Sequence, residues 1–395
     1  SIDEFLQDVA FANPHLRLEY WPPNKKPIVY PRISNELPPE TKEIKPHPYG
    51  VELGLMLRMA HVSKSHSLSG FLQAEFSRVS TAVADEILGK AELDGEMRPK
   101  DVRREHAERL HNAIADTKIM SPPTNCLAPI GEAAMLEGLK GLLVQQHIQA
   151  EEAKLRRKAE ADGQPLAEDA AEQAEAKVTE ALEAVKKVAT EDDEEAGTEV
   201  PKAGVIELFG HQAFLTAVTR GPKVYRGNPF QVEAALAWGG ELPGDQLAQV
   251  YRFANRVPLL YQQGACAMTQ SVVRTNWKSY DVDQARGALP LGPLIVMVHI
   301  ASVWVPFTSE AKEAVAHYDE IISELKFALQ ECGRRLARHI RRKRRIADAE
   351  KKQKYIEKYI PHIGLAVQEI LGINDTRRDE MVDELTGILE RSRKM

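Results

Sequence analysis

The 395-residue chain has little cysteine and no long apolar run. Its three cysteines, Cys126, Cys266 and Cys332, lie far apart and form no CxxC pair. This spacing disfavours a zinc site and a disulfide framework, and it predicts three partly buried thiols in a reducing cytoplasm. The apolar runs are well short of the roughly 20 residues that a membrane-spanning helix needs, so we expect no membrane segment. The first residues, SIDEFLQDV, are acidic and lack both a signal-peptide pattern and an initiator Met, which suggests a piece of a longer product.

Short motifs of self-contained active sites are also missing. The chain has no GxxxxGK, GxGxxG, HExxH or GxSxG motif, and no carboxylate pair or Ser/His/Asp set stands out at a usable spacing. These absences disfavour a self-sufficient hydrolase. We therefore expect no metal site and no catalytic centre that is complete within this chain.

Charge is distributed unevenly along the chain. The formal net charge is −6, but residues 151–200 alone hold 16 acidic and 7 basic side chains, so the remainder is mildly basic. The most basic stretch, Arg334 to Arg345, has eight Lys and Arg in twelve residues and no acidic residue. Such a stretch suits phosphate neutralisation, and it equally suits a solvated face of a long charged helix.

Composition and periodicity predict an α+β protein with successive regions. We predict a helix and strand at 1–20, a proline-rich linker at 21–45, a helical domain at 46–143, an acidic low-complexity insertion at 144–203, a strand-rich α/β domain with a mixed sheet at 204–315, and helices at 316–395. The insertion has the composition of a solvated helical hairpin or a disordered segment. The last region should open with a long helix from about residue 311 that ends before Pro361, followed by a shorter helix or pair.

The first candidate site follows the apolar run Leu294–Val305, which lacks alternation and is therefore expected to be a central, doubly buried strand. The loop after it carries Thr308 and Ser309, and Lys312 should lie in the first turn of the next helix. Hydroxyls, free helix N–H groups and a lysine could hold an anion. The same residues also fit an ordinary helix N-cap at Thr308 or Ser309.

The second candidate site is Asn276–Tyr280, with the sequence NWKSY. Aromatic rings beside a lysine suit a nucleic-acid backbone or stacked base, so Trp277, Lys278 and Tyr280 are candidate DNA contacts. The alternative is a hairpin whose rings fill the core.

Long stretches of the chain resemble the B subunit of archaeal-type DNA topoisomerase VI. The stretches that carry the resemblance are PHPYGVELG, SGFLQAEFSRVS, KIMSPPTNCLAPIGE, VYRGNPFQVE, RFANRVPLLYQQGACA, NWKSY and GPLIVMVHIASVWVPFTSEAKEAV. They are ordered and spread over most of the chain.

The resemblance assigns a role to each region. It implies that 1–20 is the end of a GHKL ATPase domain, 46–143 a helix-two-turn-helix domain, 204–315 a transducer domain and 316–395 a stalk helix with C-terminal helices that contact the A subunit. Lys312 would be the switch lysine that reaches the γ-phosphate of ATP, with Thr308 and Ser309 beside it. Trp277, Lys278 and Tyr280 match the family's DNA-sensing element, and we expect further DNA contacts at Arg78 and Lys118.

The resemblance also implies cofactors and partners. The family enzyme is a cytoplasmic type II topoisomerase that uses ATP and Mg²⁺ to pass one duplex through another, as an A2B2 heterotetramer whose B subunits dimerise on ATP binding. Most of the ATPase domain has no counterpart in this chain, so its main nucleotide and Mg²⁺ residues are expected elsewhere. Two other interpretations remain open: a non-enzymatic DNA-binding or adaptor protein that keeps these folds, and one half of a split B subunit.

Overall fold

The computed structural model describes residues 2–22, 28–162 and 203–392. Most of the predicted acidic insertion therefore lies outside the described residues. The chain divides into two compact units, Ser1–Arg335 and Leu336–Met395. Within the described ranges, no helix is long and apolar enough to cross a membrane.

A helical cluster occupies the region after the proline-rich segment. It consists of α2 (Leu53–Val62), α3 (Leu68–Glu75), α4 (Thr81–Ala91) and α5 (Arg104–Ala115). The hydroxyls of Ser67 and Ser80 accept hydrogen bonds from N–H groups in the first turns of α3 and α4, which fixes where these helices begin. Phe71, Ile87 and Leu110 are fully buried in a shared core. The four helices thus share one core within the predicted helical region, and the helix-two-turn-helix identity of this region stays a prediction.

Two other helices pack against the sheet instead of the helical cluster. Helix α1 (Ile2–Ala12) and helix α6 (Glu132–Asp162) contribute residues to the core cluster of the sheet. Phe11 makes edge-to-face contacts with Tyr251 and Phe253, at ring-centroid distances of 5.3 and 5.6 Å. Because α6 continues to Asp162, the structure has no break at residue 143, where the sequence predicted the helical domain to end.

A small hairpin and a mixed sheet contain most of the described strands. The hairpin pairs β1 (Leu18–Tyr20) with β2 (Ile28–Tyr30), and only β2 lies inside the predicted linker. The larger sheet has the order β3-β4-β6-β11-β7-β8, with β5 pairing to β6. Its strands are β3 (Ala203–Leu208), β4 (His211–Thr219), β5 (Lys223–Tyr225), β6 (Asn228–Gly239), β7 (Gln249–Ala254), β8 (Val257–Pro258) and β11 (Leu294–Ser302).

Strand β11 is the centre of this sheet. It pairs antiparallel with β6 and parallel with β7, and each of its nine residues is buried. The predictions of a mixed sheet and of a doubly buried strand are therefore confirmed. Between β8 and β11 lie the short helix α7 (Ala267–Arg274) and the two-residue strands β9 (Asp283–Gln284) and β10 (Pro290–Leu291).

The long helix differs from its prediction at both ends. Helix α8 begins at Asp319, not near residue 311, and it continues through Pro361 to Leu371. A proline removes one backbone donor from a helix, and α8 tolerates this loss at Pro361, beside the buried Ile360. Helix α9 (Asp375–Ser392) follows, and its Val382 lies so near Gly364 of α8 that a β-carbon on Gly364 would be 2.5 Å from it.

Asp8 provides a test of how α1 packs. Its side chain is buried, and burial together with the neighbouring charge of Glu4 raises its pKa from 3.8 to about 7. A raised carboxyl pKa means that folding is penalised as the pH rises from about 4 towards 7. Asp8→Asn should therefore stabilise the chain above pH 7, by about 1–4 kcal/mol, with no gain near pH 3.5.

Urea unfolding at several pH values measures this difference, and Asp245→Asn, at an exposed carboxylate, is the control. An Asp8→Asn effect that does not change with pH would contradict the packing of α1.

Candidate functional site

The loop after β11 closes on itself before the long helix starts. Phe307 and Val315 form an isolated antiparallel bridge, and both the amide and the hydroxyl of Thr308 donate to the Ala314 carbonyl, at 2.9 and 3.3 Å. The Lys312 amide donates to the Ser309 carbonyl at 3.1 Å. We call residues Phe307–Val315 the lysine loop.

The lysine loop is fastened to the segment that leads into α7. The Ala267 amide donates to the Val315 carbonyl at 2.9 Å, and the Val315 amide contacts Cys266 Sγ at 3.4 Å. Gln262 Nε2 donates to Glu313 Oε2 at 2.7 Å. These contacts hold the loop in a defined place at the end of the central strand.

Lys312 lies at the tip of this loop, so its predicted position in the first turn of a helix is wrong. The bridge between Phe307 and Val315 takes up the backbone groups that a helix would have used, and neither Thr308 nor Ser309 caps a helix. Lys312 has φ +54°, an uncommon conformation for a residue other than glycine. Its side chain is exposed, and among the described residues nothing forms an ion pair with it.

The second candidate site is a single 3₁₀ turn, Trp277–Tyr280. Trp277 is fully buried, and its indole N–H donates to the Val272 carbonyl at 2.8 Å, so it cannot stack on a nucleic-acid base. The predicted role of Trp277 as a DNA contact is thus wrong, and its ring fills the core. Lys278 is exposed and remains available for a phosphate.

Tyr280 connects this turn to the long helix. Its ring lies against Gly333 of α8, where an added β-carbon would come within 2.5 Å of the ring. A side chain at position 333 would push the ring away, so glycine is needed for this approach. The 3₁₀ turn that contains Lys278 is thus in direct contact with α8 through Tyr280.

Arg78 lies between α3 and α4, and Lys118 follows α5, so both belong to the helical cluster. The hydroxyl of Tyr49 donates to the Thr117 carbonyl and accepts from the Ile119 amide, which holds both sides of Lys118. Arg78 Nε donates to the Ser121 carbonyl at 3.1 Å. Both cationic side chains are exposed. Both of these predicted DNA contacts thus lie in the helical region, whereas the lysine loop follows the sheet.

A buried acid–base pair, which the sequence did not predict, lies in the middle of the sheet. Glu233 on β6 lies opposite His299 on β11, both are fully buried, and His299 Nδ1 donates to Glu233 Oε2 at 2.8 Å. His299 Nε2 accepts from the Arg256 amide at 3.1 Å, which defines a neutral ring with its proton on Nδ1.

Glu233 also ties the start of α6 to the sheet. Its carboxylate accepts from the amides of Ile130 and Gly131 at 2.7 and 2.8 Å, and from Thr219 Oγ1 at 2.6 Å. Burial alone would raise its pKa, but the bonds from His299, Thr219 and Gly131 outweigh burial and hold the pKa of Glu233 below its usual value. Nothing in the sequence signals this pair, because the partners are 66 positions apart and meet only through the strand register.

No cluster of three or more His, Cys, Asp or Glu able to hold a metal occurs in the part of the chain that the structure describes. The lysine loop offers one exposed cation, Lys312, and no glycine-rich phosphate loop lies beside it in the sequence.

The strand-rich region matches a known family model. Residues 194–352 match the family described as topoisomerase VI B subunit, transducer. This range includes the whole sheet, the 3₁₀ turn of Trp277–Tyr280, the lysine loop and the first part of α8.

Relatives extend the similarity over almost the whole chain. The B subunit of type 2 DNA topoisomerase 6 from Archaeoglobus fulgidus is 35% identical over 98% of this chain and 53% of its own length. The protein of the same name from Thermococcus gammatolerans is 34% identical over 94% of this chain and 62% of its own length. The chain thus spans about half the length of the curated relatives that it matches. A crystal structure of the B subunit of DNA gyrase from Myxococcus xanthus overlaps 29% of this chain and 36% of its own chain, with 19% identity and a TM-score of only 0.21.

Proposed function

Because the chain belongs to the family of topoisomerase VI B subunits, we propose that it is the part of such a protein that transmits nucleotide state to a DNA-cleaving A subunit. The complete enzyme would relax supercoils by ATP-dependent passage of one duplex through another. ATP and Mg²⁺ would bind mainly to a domain outside this chain, and Lys312 would contribute the γ-phosphate contact.

The observation that supports this proposal most strongly is the position of Lys312. Its cationic side chain is exposed and has no ion-pair partner among the described residues. Lys312 lies at the tip of the lysine loop, which is closed by a backbone bridge and comes after the central strand β11. A phosphate that attracts this amine would pull on the lysine loop, and through it on the end of β11.

The long helix is the proposed output element. Helix α8 follows the lysine loop after a few residues, and Tyr280 of the DNA-sensing turn packs on its Gly333. A movement of the lysine loop or of the 3₁₀ turn that contains Lys278 can therefore shift the same helix, α8. We propose that the unit Leu336–Met395 binds the A subunit, in an A2B2 assembly whose B subunits dimerise when ATP binds.

Double-stranded DNA is the proposed substrate. It would be bound through electrostatic contacts with its phosphates and not through contacts with base edges. Exposed cations lie in the helical cluster at Arg78 and Lys118 and in the transducer at Lys278. The basic stretch Arg334–Arg345 adds further positive charge on α8. Cations of this kind neutralise phosphates without regard to sequence.

This DNA interface is tested by the salt dependence of binding. Log affinity for a duplex should fall linearly with log salt, by about 0.9 for each phosphate contact. Lys118→Ala and Lys278→Ala should each reduce the slope by about that amount, because each removes one phosphate contact. Lys100→Ala, at an exposed lysine of the helical region outside the predicted interface, is the control. Fluorescence anisotropy with two unrelated duplexes gives the slopes, and strong preference for one sequence would refute the proposed mode of binding.

A further inference from the structure

A cleft of about 530 Å³ lies between the segment before the helical cluster, the turn before β6 and the end of β11. Its lining includes Lys42, Lys45, His47, Asn228 and Trp304. The volume is within the range of pockets that hold small ligands. None of the sites described above includes this cleft.

Hydrogen bonds and a close backbone approach hold the walls of the cleft in place. His47 is buried, its Nδ1 accepts from the Tyr49 amide at 3.3 Å, and its Nε2 lies 3.0 Å from the Met120 carbonyl. Gly227 has φ +72°, and an added β-carbon there would lie 2.7 Å from the Gly50 nitrogen. The backbone of the turn therefore lies directly against the opposite wall, and the cleft is formed before any ligand arrives.

Trp304 provides an aromatic surface in this cleft. It is 50% exposed, whereas Trp277 is fully buried. Its backbone is fixed, because its amide donates to Ser302 Oγ at 3.2 Å and the same hydroxyl donates to the Pro229 carbonyl at 2.9 Å. A half-exposed indole on a rigid strand end suits stacking with a planar ring, and such stacking is tolerant of base identity.

Positive charge lies beside this ring. Lys42 and Lys45 are exposed, and neither forms an ion pair with any residue that the structure describes. Glu43 is the acidic residue of the lining. Burial and the nearby Arg78 hold the pKa of His47 below its usual value, so the imidazole is uncharged at neutral pH. The lining thus has one excess positive charge, together with the amide of Asn228.

We propose that this cleft binds a nucleotide, with its base stacked on Trp304 and its phosphate held by Lys42 and Lys45. The cleft is too small for a duplex and has the size and chemistry for one base with its phosphate. The nucleotide could come from a single strand or from the free pool, and both sources present the same groups. The proposal does not depend on topoisomerase activity.

The test uses the full chain and two probes: a fluorescein-labelled oligothymidylate of twelve nucleotides, and thymidine monophosphate. Trp304→Ala should weaken oligonucleotide binding about tenfold or more, because it removes the stacking surface. Trp304→Phe, which keeps a ring, should restore most of the affinity. Trp21→Ala, at another exposed tryptophan outside the cleft, should change it less than twofold.

The lysines are tested in the same way. Lys42→Ala/Lys45→Ala should weaken binding and lower its salt dependence, whereas Lys64→Ala/Lys100→Ala, at exposed lysines elsewhere, should have a smaller effect. Competition by thymidine monophosphate would support the proposal with a free nucleotide as ligand, and binding of the oligonucleotide alone would support it with a strand as ligand. Equal affinities for Trp304→Ala and Trp21→Ala, or no binding of either probe, would overturn the proposal.

Discussion

Glu233→Ala should lower the free energy of unfolding by about 3–5 kcal/mol. The carboxylate is fully buried and accepts four hydrogen bonds, from Ile130, Gly131, Thr219 and His299. Alanine would leave all four donors without an acceptor, and each unsatisfied buried donor costs about 1–3 kcal/mol before the structure relaxes. The loss should be large because the same carboxylate joins β6, β11 and the start of α6.

Urea unfolding at pH 7 measures this effect. Glu207→Ala, at an exposed carboxylate of strand β3 in the same sheet, is the matched control and should change the free energy by less than about 0.5 kcal/mol. Equal stability of the two variants would show that the buried pair does not hold the sheet to α6.

The pH dependence provides a second check on Glu233. Its folded pKa is lower than its unfolded pKa, so its stabilising contribution is present above the unfolded pKa, near 4.3. The contribution is lost as the pH falls through the folded pKa. The stability gap between the wild type and Glu233→Gln should therefore narrow below pH 4.

Lys312→Ala should slow ATP turnover tenfold or more in a complete B subunit that also contains the ATPase domain. A charge-assisted contact to a phosphate contributes about 1.5–3 kcal/mol, which corresponds to a factor of roughly 10–150. Folding should be almost unaffected, because the side chain is exposed and alanine accepts the same loop backbone at similar cost.

Two variants separate this role from a general loss of charge. Lys312→Arg keeps the charge but changes its geometry, and it should recover part of the rate. Lys278→Ala should weaken the stimulation of hydrolysis by DNA and leave basal hydrolysis intact. ATP hydrolysis by Lys312→Ala at the wild-type rate, measured with and without supercoiled DNA, would refute the assignment of Lys312 to the nucleotide site.

The elements with strong local signals are those that the sequence predicts well. Strand β11 is marked by an unbroken apolar run, and α3 and α4 have apolar periodicity together with serine caps. The start of α8 is different, because the sequence after Ser309 has a helical pattern. The antiparallel bridge between Phe307 and Val315, eight positions apart, overrides it.

At the candidate sites, too, the sequence predicts features with a local signal and not those that depend on tertiary contacts. The sequence places Lys312 and Lys278 in short motifs, but burial of Trp277 depends on how α7 packs, which local spacing does not reveal. The pairing of Glu233 with His299 depends on the register between β6 and β11. Contacts of this kind follow from tertiary structure, so a single sequence cannot predict them.

The central claim is that this chain links a nucleotide site to an A subunit. The most direct test is the molar mass of a mixture of this chain and the topoisomerase VI A subunit of the same organism, measured by size-exclusion chromatography with light scattering. We predict a stable complex that contains both proteins, and its loss when the chain ends at Arg335. Separate elution of the two folded proteins at micromolar concentration would contradict the claim.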